Sequence, residues 1–326
     1  MPNTFCNSFG LSIPIVQAPM GGATPPELVA AVSNAGGLGL APLWTHSPDG
    51  LRDFVRQVKT LTDRPFGVNL NMDFPNAEQL DVCLEEGVPV ISIFWQMSET
   101  FIRRAKAGGA QVIFSAWDAA SAVEAVSYGA DAICAQGWEA GGHVRGDVST
   151  MALVPAVVDA VGDVPVIAAG GIADGRGLAA AMALGAQAAW IGTRFLAAEE
   201  ADIHPDYVAR LIAANETSTG HYADLFDVTW PDAPHRVLQN STTRAWEVAG
   251  RPPTGQRPGE GEVILRSPQG SDVVRYQSST PKPDMEGSVE ASSMWAGQGL
   301  AQVRKVQPAA EIVQEIAEEA RRIIPF

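Results

Sequence analysis

One histidine of the chain directly follows a pair of glycines at the end of an apolar segment. The segment reads Ala135-Gln136-Gly137-Trp138-Glu139-Ala140-Gly141-Gly142-His143. Adjacent glycines let the backbone adopt positive φ or approach a ligand closely, and a histidine with an ordinary pKa of ~6.5 can take or give a proton at neutral pH. A single loop histidine is more often a solvated surface residue. The chemistry of His143 therefore depends on what surrounds it.

Two further glycine turns resemble phosphate-binding turns. They are Ala169-Gly170-Gly171-Ile172 and Ile191-Gly192-Thr193-Arg194. Exposed backbone N–H groups beside a helix N-terminus bind phosphate well, and many barrel enzymes hold a phosphorylated cofactor after their last two strands. One such turn could simply connect a strand to a helix. Two of them favour a phosphate site.

Polar and small residues at three other strand ends could line a flat ring. Pro19 and Met20 precede a glycine pair, and Asn69 and Gln136 each close an apolar run. Each amide offers both donors and an acceptor. Either amide alone could equally satisfy a stray backbone group. Together they resemble the lining of an isoalloxazine ring, whose pyrimidine edge needs both functions.

The elements that would position these residues repeat as strand and helix. The predicted strands are Ile13–Ala18, Gly39–Leu43, Phe66–Leu70, Val90–Phe94, Gln111–Ser115, Ala132–Gln136, Val164–Ala168 and Ala188–Gly192. Alanine-rich amphipathic segments that end in glycine separate them. Eight regular units favour a closed (β/α)₈ barrel, an α/β fold, over a doubly wound open sheet. In such a barrel the active site lies at the carboxyl ends of the strands.

The pattern changes after the eighth strand. Residues 217–293 are rich in Pro, Gly, Ser and Thr but also contain Phe226, Trp230 and Trp246, which are too apolar for a disordered tail. We predict a barrel of residues 1–205 and 294–326, with residues 206–293 inserted as a smaller lobe over the barrel mouth. The amphipathic segment Pro308–Ile324 would supply the last helix of the barrel.

Composition excludes several classes of protein. The 326 residues carry a net charge of −15, which disfavours nucleic acid and anionic membranes as partners. The three cysteines form no C-x-x-C pair, so neither a disulfide framework nor a metal site is predicted. No apolar run is long enough to span a membrane and no signal peptide is visible. We predict a cytoplasmic protein, and the sequence leaves homo-oligomerisation open.

The motifs together resemble the nitronate monooxygenase family, formerly called 2-nitropropane dioxygenases. The resemblance covers the barrel from Ile15 to about Ala198 and resumes at Trp295-Ala296-Gly297-Gln298-Gly299. The elements that carry it are Gln17-Ala18-Pro19-Met20, Ser33-Asn34-Ala35-Gly36-Gly37-Leu38-Gly39, Gly67-Val68-Asn69-Leu70, Ala135–His143, Ala169-Gly170-Gly171-Ile172 and Ile191-Gly192-Thr193-Arg194-Phe195. The last segment, from Trp295 to Gly299, is similar to the family's C-terminal glycine-glutamine turn.

The resemblance implies an FMN-dependent enzyme that oxidises alkyl nitronates with O₂ to a carbonyl compound and nitrite. It implies His143 as the catalytic base, which either removes the α-proton of a neutral nitroalkane or hydrogen-bonds a nitronate. The implied FMN-binding residues are Pro19, Met20, Asn69, Gln136, Gly141, Gly142, Gly170, Gly171, Ile191, Gly192 and Thr193. An NAD(P)H-dependent flavin reductase of an enoyl thioester or a quinone shares this type of turn and is the alternative.

Several positions depart from the family pattern or stay ambiguous. Val144 separates His143 from Arg145-Gly146, where the family continues directly into Arg-Gly, so a role for Arg145 is doubtful. The bulky Trp190 suggests altered packing at the phosphate end, and the bulky end of the fourth strand suggests a reshaped substrate pocket. Glu139 either orients His143 or is a solvated loop carboxylate. His221 and His235 belong either to the surface of the lobe or to the pocket.

Overall fold

Eight parallel strands close a barrel in the computed structural model, which describes residues 3–325. The barrel strands are β1 (Ile15–Gln17), β2 (Leu38–Pro42), β3 (Phe66–Asn71), β4 (Val90–Phe94), β5 (Gln111–Ala116), β6 (Ala132–Gln136), β8 (Val166–Ala169) and β9 (Ala188–Ile191). Each strand pairs with the next, and β9 pairs with β1 to close the barrel. The intervening β7 (Gly142–His143) belongs to a second sheet. The predicted (β/α)₈ barrel is confirmed.

Eleven α-helices accompany the strands in the described part of the chain. They are α1 (Thr4–Phe9), α2 (Pro26–Asn34), α3 (Pro48–Leu61), α4 (Ala77–Glu85), α5 (Glu99–Ala107), α6 (Ala119–Tyr128), α7 (Thr150–Val161), α8 (Gly175–Ala183), α9 (Pro205–Ala213), α10 (Ser241–Val248) and α11 (Ala309–Ile323). The apolar face of α11 packs against α8 and α2, so this helix completes the outer layer as the sequence predicts. Among residues 3–325, no helix is long and apolar enough to span a membrane.

Local sequence explains where the helices begin and end. Asp118 caps α6 by accepting from the backbone N–H of Ser121, whose hydroxyl reaches back to the cap, and Gly129 ends the helix with φ of 108°. Only glycine adopts that conformation without strain. The same chemistry starts α10 at Ser241, because Asn240 forms a capping box with Thr243.

Helix α1 closes the amino-terminal end of the barrel. Its Phe5 and Phe9 are buried against the side chains of the barrel interior, which include Val16, Ile113 and Ile167. Burial of each large apolar side chain stabilises the fold by about 1.5–3 kcal/mol. With that end closed, a ligand reaches the barrel interior from the opposite end, where the strands have their carboxyl termini.

Two small sheets lie outside the barrel. The first has the order β10 (Thr219–Tyr222), β11 (His235–Leu238) and β7, all antiparallel. The second consists of β12 (Val263–Arg266), β13 (Val273–Val274) and β14 (Glu286–Gly287). Because β7 follows β6 in sequence, the first sheet connects the inserted segment directly to the carboxyl end of the barrel.

Candidate active site

A cavity of about 520 Å³ opens at the carboxyl ends of the barrel strands. This volume lies within the range of roughly 300–1,000 Å³ that is typical of ligand sites. The structure brings eleven of the twelve predicted site residues to its walls. They are Pro19, Met20, Asn69, Gln136, Gly141, Gly142, His143, Gly170, Gly171, Gly192 and Thr193.

Ile191 is the one predicted site residue that does not line the cavity. It is fully buried in the apolar cluster between the barrel and the helices, with Leu178 and Ile312. Successive side chains of a strand point to opposite faces. The neighbouring Trp190 takes the inner face, where it packs with the barrel-interior residues and lines the cavity floor. Ile191 must therefore face outward.

Backbone approaches backbone closely at the glycine positions. A Cβ atom on Gly141 would lie 2.5 Å from the carbonyl carbon of Ala296, and one on Gly297 would lie 2.8 Å from the Glu139 oxygen. Gly170 has φ of 110°, and a Cβ there would lie 3.0 Å from the Gly137 oxygen. A side chain at any of these positions would press against neighbouring backbone atoms in this part of the cavity wall. The glycines thus form a cradle whose surface is backbone.

The two amides at the cavity floor already use their nitrogen atoms. The Asn69 amide donates to the Ser92 hydroxyl at 3.0 Å, and the Gln136 amide donates to the His143 carbonyl oxygen at 3.1 Å. These bonds fix the direction of both side chains. Their carbonyl oxygens are the groups that remain as acceptors for a ring N–H.

The N-terminus of α8 is occupied by carboxylates. The N–H of Gly175 donates to Glu319 at 2.7 Å, and the N–H of Gly177 donates to Asp174 at 3.0 Å. An anion would be repelled there. The backbone of Gly171, Gly192 and Gly299 lines the cavity, and a Cβ on Gly299 would approach the Gly171 carbonyl carbon at 3.3 Å.

The lobe holds His143 in place. Strand β7 pairs with β11, so that His143 lies opposite His235 and Gly142 lies opposite Arg236. The His143 Nε2 atom is buried and has no hydrogen-bond partner. Burial, and secondarily the charge of His235, lower the pKa of His143 well below its ordinary value. The imidazole is therefore neutral at neutral pH and able to accept a proton.

His235 is fully buried and cannot accept that proton in turn. Its Nε2 accepts from the backbone N–H of Phe226 at 3.1 Å, so its Nδ1 carries the hydrogen and donates to the Ala233 oxygen at 2.8 Å. Burial lowers its pKa to about 4. The sequence leaves open whether His235 lies on the surface of the lobe or in the pocket. It lies in neither place, because it is buried within the lobe sheet and does not line the cavity.

Three tryptophans surround His143, and the sequence does not identify them as site residues. Their ring centroids lie 3.9 Å (Trp230), 4.9 Å (Trp295) and 6.2 Å (Trp95) from that of His143. Trp230 comes from the lobe and donates its indole N–H to Asp73 at 2.9 Å. Trp95 has φ of 81°, an unfavourable backbone conformation for a bulky residue. Phe74, Phe94 and Trp230 line the cavity together and form an aromatic wall.

Arg236 fixes the turn before His143. Its guanidinium lies 4.1 Å from the Trp138 ring centroid and donates to the Trp138 carbonyl oxygen at 3.0 Å. The residue is almost fully buried, and burial lowers its pKa. The apolar pair Val237-Leu238 is a weak sequence signal for this strand. It does not indicate which strand would be its partner.

Glu139 and Arg145 have structural positions away from the imidazole. The Glu139 carboxylate accepts from the backbone N–H of Thr150 at 2.8 Å and from its hydroxyl at 2.9 Å, so it stabilises the start of α7 and does not orient His143. Arg145 lies 3.7 Å from the Trp117 ring centroid and donates to the Trp95 carbonyl oxygen. The additional Val144 is buried and donates its N–H to Pro234 at 2.8 Å.

Comparison with known proteins gives a consistent class. A solved structure of FabK from Thermotoga maritima superimposes with a TM-score of 0.84 at 33% identity, covering 99% of this chain and 97% of that one. Nitronate monooxygenase of Paraburkholderia phytofirmans is 32% identical over 97% of this chain and 94% of its own. The (3aS,4S,5R,7aS)-5-hydroxy-7a-methyl-1-oxo-octahydro-1H-indene-4-carboxyl-CoA dehydrogenase of Rhodococcus jostii is 41% identical over 74% of this chain and 67% of its own.

Fold and cavity together define an oxidoreductase built on a (β/α)₈ barrel. A family model described as nitronate monooxygenase matches residues 4–79 and 71–319. The chain therefore belongs to the nitronate monooxygenase family, in agreement with the resemblance of its motifs.

Proposed function

We propose that this enzyme oxidises alkyl nitronates with O₂ to a carbonyl compound and nitrite, using FMN. The observation that carries this proposal is the neutral His143 imidazole in the wall of a glycine-cradled cavity, whose Nε2 atom is buried and has no hydrogen-bond partner. A neutral imidazole in a dry pocket suits a small substrate with an acidic C–H bond. Membership of the nitronate monooxygenase family supports the same substrate class.

The cavity fits FMN in size and in chemistry. The cradle of Gly170, Gly171, Gly192 and Thr193, extended by Gly299, would hold the phosphate. Pro19, Met20, Asn69, Gln136, Gly141 and Gly142 would hold the ring, with amide oxygens as acceptors. When bound, FMN would supply the redox chemistry that links oxidation of the nitronate to O₂.

His143 would act on the proton of the substrate. With a neutral nitroalkane, the α-proton moves to the imidazole while the C–H electron pair stays on the substrate, which becomes the nitronate. The hydrogen bond from Gln136 to the His143 carbonyl and the pairing of β7 with β11 hold the ring in position for this transfer. The aromatic wall excludes water and leaves the imidazole without a competing partner.

A second candidate has a specific observation in its favour. The Rhodococcus jostii relative, at 41% identity, is named as a dehydrogenase of a carboxyl-CoA compound. The alternative is therefore an NAD(P)H-dependent flavin reductase acting on an enoyl thioester or a quinone. Its reaction would use the same cradle, with reduced nicotinamide as the electron donor.

Anaerobic mixing of the flavin-loaded enzyme separates the two candidates. We expect the flavin to be bleached by ethyl nitronate, and nitrite to form once O₂ is admitted. Rapid bleaching by NADH or NADPH without reaction toward nitronates would reject the monooxygenase proposal. A colourless protein that retains no FMN would reject both candidates.

The role of His143 has its own test. His143→Ala should retain FMN and lose about 10²–10⁴-fold in kcat/KM toward neutral nitroethane, with a smaller loss toward ethyl nitronate, which needs no proton removal. His204→Ala is the matched control, because His204 lies at the start of α9 and caps its first turn. Equal losses toward both substrates would show that His143 does not remove the proton.

We further propose that residues 206–293 act as one lobe over the barrel of residues 1–205 and 294–326, and that the protein works in the cytoplasm. The three buried, unpaired cysteines are compatible with a reducing compartment. Limited proteolysis of the FMN-loaded enzyme should cut within the lobe first. First cleavage within the barrel helices would contradict this division.

A further inference from the structure

His143 lacks the partner that usually stabilises a histidine cation. Among the described residues that line the cavity there is no carboxylate, and none hydrogen-bonds the His143 ring. The titratable group that faces His143 is His235 on β11, which is neutral and has both nitrogen atoms bonded. A proton arriving on His143 would therefore create a buried charge without an opposite charge beside it, which is costly.

Aromatic faces occupy the positions where a counter-charge would be expected. Trp230 lies at a ring-centroid distance of 3.9 Å with an interplanar angle of 33°, and Trp295 at 4.9 Å and 40°. Both distances are within the ~6 Å over which a cation is attracted by the negative face of an indole ring. Trp95 lies further away, at a ring-centroid distance of 6.2 Å and an interplanar angle of 89°.

Trp230 is further polarised by its hydrogen bond. Its indole N–H donates to the Asp73 carboxylate at 2.9 Å, and the other Asp73 oxygen accepts from the Gln96 amide at 2.9 Å. A carboxylate that accepts from the indole N–H pushes electron density into the ring. This makes the face of Trp230 more negative and fixes its orientation over His143.

We propose that Trp230 and Trp295 form an aromatic clamp that stabilises the protonated imidazole of His143. This inference rests on the proposed role of His143 in taking the substrate proton. It assigns to two tryptophans, one of them in the lobe, the function that a carboxylate has beside many catalytic histidines. The His143 imidazolium forms when the imidazole takes the proton, and the clamp stabilises it from then on. Before proton transfer His143 is a neutral base.

The test must alter the charge of the indole face without altering its volume, because a smaller side chain would also admit water. Site-specific replacement of Trp230 by tryptophan carrying one, two or three fluorine atoms achieves this, since each fluorine weakens the negative face. The matched control is the same series at Trp246, a lobe tryptophan that packs against Tyr222 and does not contact His143.

The first readout is exchange of the His143 Cε1 hydrogen with D₂O at neutral pH, followed by mass spectrometry in the FMN-loaded enzyme. This exchange proceeds through the imidazolium, so its rate reports how readily His143 is protonated. We expect a stepwise decrease in proton affinity with fluorine number, about three- to tenfold over the series. An unchanged rate, or equal changes in the Trp246 series, would overturn the proposal.

The second readout separates the clamp from the proposed reaction. The kcat/KM toward neutral nitroethane should fall about two- to fivefold over the Trp230 series, while that toward ethyl nitronate stays constant. Asp73→Asn should produce a smaller decrease in the exchange rate. If the enzyme forms no nitrite but the exchange rate still falls with fluorination, the clamp stands and the proposed substrate fails.

Discussion

The two ends of the cavity are built from different parts of the polypeptide. At the glycine end the wall is backbone, contributed by turns that directly follow β8 and β9 and by Gly141, Gly297 and Gly299. At the histidine end the wall is aromatic side chains, and the lobe contributes Trp230 and the strand β11 to it. The difference teaches that closely packed backbone is enough to form a cradle for an anion. A catalytic base, in contrast, needs surrounding side chains that fix its position and exclude water.

The largest expected effect comes from adding a methyl group at the glycine end. In Gly141→Ala the new Cβ would overlap backbone atoms of Ala296 and Gly297, which cannot move aside as a side chain could. We expect loss of FMN and a decrease of more than about 4 kcal/mol in the free energy of unfolding. Urea unfolding and flavin absorbance measure both.

Gly142→Ala is the matched control, since a Cβ there meets nothing within 4 Å and only φ of 75° is unfavourable. It should lose about 1 kcal/mol. If both variants retain FMN and unfold at the same urea concentration, close backbone packing does not define the cradle.

The stability contributed by the histidine end should depend on pH, whereas that contributed by the glycine end should not. An unfolded histidine titrates at ~6.5, and the pKa of His235 in the folded protein is about 4. Because the folded state binds this proton more weakly, stability is complete above pH ~6.5 and falls as the pH decreases toward 4. Linkage predicts a loss of about 3 kcal/mol from this residue, with a further loss from His143 in the same direction.

His235→Asn removes the titration but keeps an N–H donor for Ala233. Urea unfolding between pH 7 and 4.5 should therefore give a flatter stability profile for this variant than for the parent. Parallel profiles would mean that burial of His235 is not maintained in solution.

Removing the arginine that fixes the histidine turn should have an intermediate effect. Arg236→Met leaves the Trp138 carbonyl without its donor, which should cost about 2 kcal/mol of stability. Activity should fall more than FMN affinity, because the displaced turn carries His143. Arg244→Met, at an exposed arginine that pairs with Glu290, is the control and should change stability by less than about 0.5 kcal/mol. Similar losses in the two variants would contradict a role for Arg236 in the turn.

The smallest effect is expected at Arg145, outside the cavity. Arg145→Ala removes its stacking on Trp117 and its bond to the Trp95 carbonyl, which should cost about 1 kcal/mol. FMN binding should stay unchanged in a fluorescence titration, and nitrite production should change by less than about twofold. A tenfold loss of activity would place Arg145 in the reaction after all.

The glycine end could be predicted from sequence because its signals are local. A strand that ends in glycine predicts both the strand and the turn, and Gly170, Gly171 and Gly192 all lie at the cavity as expected. The outward direction of the Ile191 side chain could be predicted by the same local reasoning, since its neighbour Trp190 faces inward.

The histidine end could not be predicted in the same way. Strand β7 has two residues, too few to show any periodicity, and its partner β11 lies in a segment without regular patterning. Trp230 reaches His143 through tertiary packing that no spacing encodes. The carboxylates at the start of α8 were missed for the same reason, since Glu319 comes from the last helix.

The pairing of His143 with His235 also has a consequence for the order in which the molecule folds. Barrel units form from neighbouring segments, whereas contacts between distant segments form late because the intervening chain must first be closed into a loop. A nascent chain emerging from the ribosome can thus acquire its glycine turns after β8 and β9 while the histidine still lacks its strand partner. Proton chemistry would become available only when synthesis has passed β11, and the cradle is completed later still, when Gly297 and Gly299 have been made.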